Sequence, residues 1–217
     1  MTIILYYGRN AIDNVEFISY LVIVRAYMRY EKGHKDSTRL LILDVASKQF
    51  RKGGIEAVGI AGLMKEAGLT NGAFYSHFKS KKDLVDQTLI YILESRAELL
   101  KNSIKQGFTL KEIVHEYLSP KHRDKCEQGC LFPSLTAEIA RLPKSTKNIV
   151  TEKIKDMQSF ISDQINESDP EVRNQKAIAI VALMIGSLQL ARVVTDNKLS
   201  DNILKHATEN VLVIAGI

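Results

Sequence analysis

Two short apolar stripes, Ile60/Leu63/Met64/Ala67 and Phe74/Phe78, are separated by little more than Gly68-Leu69-Thr70. Three-to-four spacing makes each stripe one face of a helix. A glycine that stops the first helix, followed two residues on by a threonine able to cap the second, leaves room only for a tight reversal. The stretch therefore reads as helix, turn, helix, with the second helix running from Thr70 through Phe78 and projecting outward.

The chain around it is helical as well. Ile42, Leu43, Ala46 and Phe50 put a first helix at about 37–52, stopped by Gly53-Gly54. Ser80-Lys-Lys-Asp83 and Thr109-Leu-Lys-Glu112 fit the capping box that opens an amphipathic helix. Pro120 ends the second of these, and the polar run Ser119 to Gly129 reads as a loop. Further helices are expected over about 133–142 and 145–166. Asp169-Pro170 is a strong start signal for another, apolar on nearly every side, to about Val194. A last helix spans about 200–214. No segment alternates as a strand, so the fold class is all-α with about nine helices.

Charge narrows the function. From Met28 to Lys82 there are eleven Lys/Arg against five Asp/Glu, a balance of +6; from Asp83 to Ile217 there are seventeen against eighteen, or −1. The whole chain carries +5, so the positive charge lies in one quarter of it. Such an excess suits a polyanion, either nucleic acid or an acidic membrane surface. Within it, Asn71, Gly72 and Ala73 occupy the first turn of the outward helix. Their small size lets the backbone approach a major-groove floor, where Asn pairs with adenine and an Ala methyl meets a thymine methyl. Tyr75 and His77 offer donors to phosphate, and Lys81 and Lys82 open the next helix. Taken alone, Lys79, Lys81 and Lys82 would be a solvated face.

In these motifs the chain resembles the TetR/AcrR family of bacterial transcriptional regulators. The segment TRLLILDVASKQFRKGGIEAVGIAGLMKEAGLTNGAFYSHFKSKKDLV carries the T-R-x-x-I-L opening, the F-x-x-x-G end of helix one, and A-G-L-T-x-G-x-F-Y-x-H-F-x-S-K-x-x-L. The resemblance implies a helix-turn-helix DNA-binding domain at 28–82 and a ligand-binding and dimerisation domain at 83–217. It implies base contacts from Asn71, Gly72 and Ala73 beside Thr70, and phosphate contacts from Thr38, Arg39, Tyr75, His77 and Lys81. It also implies a homodimer on a double-stranded operator, an unknown small-molecule effector, and a cytoplasmic protein with no membrane partner and no cofactor. One departure stands out: helix two begins Gly59-Ile60-Ala61 where the family has a Ser or Thr cap.

Residues 1–27 differ in character. Their apolar run Phe17 to Tyr27 is only eleven residues long and contains Arg25, short of the roughly 20 residues needed to span a bilayer. They are expected to be a dispensable extension, with translation starting at Met28.

Two cysteines remain, Cys126 and Cys130. With His122 they repeat every four residues, yet three ligands fall short of a closed zinc site, and no metal is expected. Arg123 and Lys125 flank Cys126, cations that favour its thiolate, which makes Cys126 a candidate sensor of electrophiles or oxidants. Cys130, beside Leu131 and Phe132, reads as apolar filler. Two alternatives stay open: a thiol-dependent enzyme using Cys126 and His122, and a helical adaptor on a membrane surface. The first lacks an orienting third group at a readable spacing.

Overall fold

The computed structural model describes residues 34–217. Residues 1–27 and Met28 lie outside them. The chain falls into two units, Met1–Arg39 and Leu40–Ile217. Of the first, only the opening of a helix at 34–39 is described, with Ser37, Thr38 and Arg39 half-buried.

Among the described residues, all regular structure is helical. Helix α1 (His34–Gly53) turns Ile42, Leu43, Ala46 and Phe50 to the core. It stops at Gly54, whose φ of +90° lies in the left-handed region and whose N–H returns to the Phe50 carbonyl at 2.8 Å. Helices α2 (Ile60–Glu66) and α3 (Asn71–Phe74) follow, then the long α4 (Lys81–Lys105). Ser80 caps α4 by accepting the Asp83 N–H at 3.1 Å, while the Asp83 carboxylate accepts the Lys79 N–H at 2.9 Å. The Thr109–Glu112 capping box opens α5 (Leu110–Tyr117) as its sequence requires.

The expected loop 119–129 is different. It holds a short helix α6 (Pro120–Asp124), capped by Ser119 with Pro120 in its first turn, and a 3₁₀ turn at Cys126–Gln128. Pro120 therefore starts a helix as well as ending one, because proline is pre-set for the first helical position. This helix raises the count from about nine to ten among the described residues.

Helices α7 (Phe132–Ile139), α8 (Lys144–Ser162), α9 (Pro170–Val193) and α10 (Asn197–Ala215) complete the chain. Asp169 caps α9 and Asp196 caps α10, each through two backbone N–H groups. Helices α9 and α10 form a hairpin, closed by the Ser200 hydroxyl on the Ala191 carbonyl at 2.6 Å. Helix α9 is long and apolar enough to cross a membrane by length and composition. It nonetheless packs against α7, α8 and α10, burying Ala177, Ile180, Met184, Leu188 and Ala191.

Helix α8 lies along α4. Thr146 donates to Asp86 at 2.5 Å, and Lys153 donates to Glu94 at 3.0 Å. Residue numbers rise together along both helices, so the two run parallel.

Candidate nucleic-acid interface

The turn between α2 and α3 is built on Gly68. Its φ is +70°, where a side chain would be strained, and the Leu69 N–H reaches back to the Met64 carbonyl at 2.8 Å. Leu63 and Met64 on α2 and Phe74 and Phe78 beyond the turn are fully buried or nearly so. The two rings lie 5.6 Å apart in a stacked arrangement. Burying each large apolar side chain contributes about 1.5–3 kcal/mol, enough to fix the orientation of a helix only one turn long.

That anchoring leaves the other face of α3 to solvent. Thr70, Asn71 and Gly72 are exposed, Ala73 is half-buried, and Tyr75 is 69% exposed, its ring perpendicular to that of Phe74 with centroids 5.1 Å apart. A Cβ added at Gly72 would meet nothing within 4 Å. Thr70 stands at the N-cap position, but its hydroxyl does not cap the helix. The expected helix through Phe78 is shorter, since regular α geometry ends at Phe74 and tight turns carry the chain to His77. The N-cap of α2 is Gly59, with no side-chain cap, as its departure from the family's Ser or Thr requires.

His77 is half-buried. Lys81, also half-buried, donates its Nζ to the Glu56 carbonyl at 3.3 Å, in the loop between α1 and α2. Lys82 pairs with Asp86 at 2.5 Å. One face thus brings together Asn71, Gly72 and Tyr75, while Lys81 ties the start of α4 to the same helical unit.

The loop carrying Glu56 is held from the other side too. Glu138 on α7 accepts the N–H groups of Ile55 at 2.8 Å and Glu56 at 3.2 Å. Arg51 on α1, only 8% exposed, donates from Nε to the Glu127 carbonyl at 2.7 Å. Glu127 belongs to the 3₁₀ turn that begins at Cys126. Sequence motifs do not point to either link. A single arginine on an otherwise apolar helix face is the available signal for Arg51, while Glu138 looks like any solvated glutamate.

The cysteine loop has a defined internal structure. His122 Nε2 accepts the Cys130 N–H at 3.0 Å, so Nδ1 carries the proton and donates to the Tyr117 carbonyl at 2.7 Å. Both ring nitrogens have backbone partners, which leaves neither to serve as base for Cys126 or to ligate a metal. Arg192 on α9 donates to the carbonyls of His122 at 2.8 Å and Arg123 at 3.0 Å, and to Ser134 at 3.1 Å. Arg123 is held by Asp124, Asp201 and Ser200. The Cys126 thiol donates to the Glu127 carboxylate at 3.8 Å. Cys126 is half-buried and Cys130 is buried.

Known proteins share both halves of this arrangement. Residues 42–88 match the model of the bacterial regulatory proteins of the tetR family, and residues 109–207 match that of the tetracyclin repressor-like C-terminal domain. The HTH-type transcriptional regulator AcrR of Shigella flexneri is 41% identical over 59 residues, covering 27% of this chain and 27% of that one. The HTH-type transcriptional regulator TtgR of Pseudomonas putida is 33% identical over 76 residues, covering 35% of this chain and 36% of its own length. The match therefore spans well under half of either curated relative. The crystal structure of a TetR-family transcriptional regulator from Cytophaga hutchinsonii shares the fold, with a TM-score of 0.70 at 19% identity over 86% of this chain and 98% of the other.

Proposed function

We propose that this chain, which belongs to the TetR family of bacterial regulatory proteins, represses transcription as a homodimer that grips a palindromic operator and releases it when a small molecule or an electrophile reaches its second domain. The observation that carries this reading is the outward turn of α3, where Asn71 and Gly72 face solvent on a helix anchored by Phe74 and Phe78. In this reading Asn71, Gly72 and Ala73 reach base edges beside Thr70, while Tyr75, His77, Thr38 and Arg39 hold phosphates. Lys81 joins them by leaving the Glu56 carbonyl for a phosphate oxygen. The DNA-binding domain is 28–82 and the effector and dimerisation domain is 83–217.

The dimer is supported by apolar side chains left in water. Ile178, Leu190 and Val193 on α9 and Leu199, Val213 and Ile217 at α10 are exposed. A second copy of the same hairpin covers them, closing a four-helix interface about a two-fold axis. Two recognition helices about 34–36 Å apart then read successive major grooves. A coupling of about 1–3 kcal/mol between effector and operator changes DNA affinity by several-fold to over a hundredfold. For an electrophile the path is short. Cys126 opens the turn whose Glu127 carbonyl holds Arg51, so an adduct there disturbs the seat of α1.

The test is a gel shift on DNA upstream of the protein's own coding sequence, titrated with salt, with and without alkylation of Cys126. A sharp, salt-sensitive shift is expected for the unmodified protein, and its absence on every duplex tried refutes the reading. A shift that survives alkylation unchanged removes the electrophile arm alone.

A further inference from the structure

The segment between α7 and α8 is pinned to the helix-turn-helix side of the molecule at both ends. Glu138 holds the loop after α1 through Ile55 and Glu56, and Thr146 donates to Asp86 on the second turn of α4. The pairs Thr146–Asp86 and Lys153–Glu94 join residues 60 and 59 apart in sequence. Parallel packing in that register sets each α8 residue beside the α4 residue about sixty positions earlier. Continued toward the start of α8, it brings Lys144 level with Leu84, and Lys147 with Gln87. Arg141 lies in the turn between α7 and α8, where its N–H returns to the Glu138 carbonyl at 2.9 Å and Pro143 leads into α8.

Arg141, Lys144 and Lys147 are all exposed, and no Asp or Glu occurs between Ile139 and Thr151. Farther along α8 the balance changes, as Glu152 and Asp156 pair with Lys155 and Lys153. Positive charge is thus concentrated in the turn before α8 and at the end of α8 that shares a level with the first turns of α4. Its placement does not follow from the helix-turn-helix motif, because these residues belong to the second domain.

We propose that Arg141, Lys144 and Lys147 form a second phosphate grip, through which the C-terminal domain touches DNA backbone beyond the phosphates held by the helix-turn-helix. This rests on the DNA-binding reading above and extends the footprint it describes. The grip is electrostatic and independent of sequence, so it adds to affinity and to salt dependence without altering base preference.

The experiment uses the full chain and the duplex it recovers from a random pool, with binding followed between about 50 and 200 mM salt. In the variant R141A/K144A/K147A the slope of log K against log salt is expected to be shallower by about 0.9 for each phosphate that is no longer neutralised. Hydroxyl-radical footprinting should lose backbone protection at the edge of the site while the bases selected stay the same. The single variant Lys144→Gln, which removes one exposed charge, should lower the slope by about 0.9 per protomer. Lys155→Ala, about three turns higher on α8 and paired with Glu152, should leave it unchanged. A parent that binds tightly while both patch variants keep its slope and footprint overturns the proposal and leaves the DNA-binding reading standing. A parent that selects no duplex from the pool overturns both.

Discussion

Glu138 accepts the backbone N–H of Ile55 at 2.8 Å across 83 residues of sequence, and the same oxygen takes the N–H of Glu56. The Glu56 carbonyl in turn receives Lys81. A two-residue stretch of backbone is therefore held by α7 on one side and by the start of α4 on the other. Removing the carboxylate strands a donor on the buried residue Ile55, at a cost of about 1–3 kcal/mol. Urea unfolding of Glu138→Ala should register that loss, and Glu138→Gln, which keeps one acceptor oxygen, should recover part of it. Stability equal to the parent in the alanine variant would mean that the link contributes nothing to the fold.

Gly54 offers a second test of the same neighbourhood. A Cβ at this position would lie 2.6 Å from a Glu138 carboxylate oxygen, on a backbone with φ of +90°. Gly54→Ala should therefore destabilise on its own, and combining it with Glu138→Ala should cost less than the sum, because the collision disappears with the carboxylate. Strict additivity in unfolding free energy would contradict the geometry.

Tyr117 gives a pH dependence with a defined sign. Burial is the main cause raising its pKa well above the usual value of 10.0, and the neighbouring Cys130 adds to it. The folded protein thus favours the neutral phenol, a contribution fully present below the ordinary tyrosine range and lost as pH rises above about 10 toward the higher folded value. Its hydroxyl has no nitrogen or oxygen partner. Tyr117→Phe should therefore cost little stability at neutral pH and flatten the alkaline fall in Tm. A variant that loses several kcal/mol at neutral pH would reveal a partner for the hydroxyl.

Gly72 separates folding from binding. The free chain has open space where a Cβ would go, so Gly72→Ala should keep or slightly raise stability, by up to about 1 kcal/mol for a helical glycine. Against a groove floor the same methyl is in the way. Thermal unfolding should show no loss of stability while affinity for the selected duplex falls by about tenfold or more, roughly 1.4 kcal/mol. Unchanged affinity would show that the backbone at Gly72 stays clear of DNA.

Much of this molecule is legible in its sequence, for local reasons. The Thr109–Glu112 and Ser80–Asp83 caps and the Asp169-Pro170 start are each settled within four residues, and each forms as written. The glycine turn at Gly68 is equally local. What escapes depends on distance or on a competing signal. Ser119-Pro120 ends one helix and opens another, and the proline's power to stop the first hides its fitness for the first position of the next. The partners that tie Arg51, Glu138 and Arg192 to other elements lie 58 to 83 residues away. No periodicity encodes such pairings, and a half-buried glutamate has the same sequence neighbourhood as a solvated one. The cation expected beside Cys126 illustrates the same limit: Arg123 is near in sequence, but its guanidinium is turned toward Asp201.

In the proposed function the exposed face of α3 acts on DNA in two ways, base readout and backbone grip. Binding of the selected duplex, and of the same duplex with single base changes, should be measured across salt for the parent, Asn71→Ala and Tyr75→Phe. Asn71→Ala should alter which base is preferred at one position, at about 1–3 kcal/mol, whereas Tyr75→Phe should weaken all sequences alike. If both variants bind every duplex as the parent does, α3 is not the reading surface and the account is wrong.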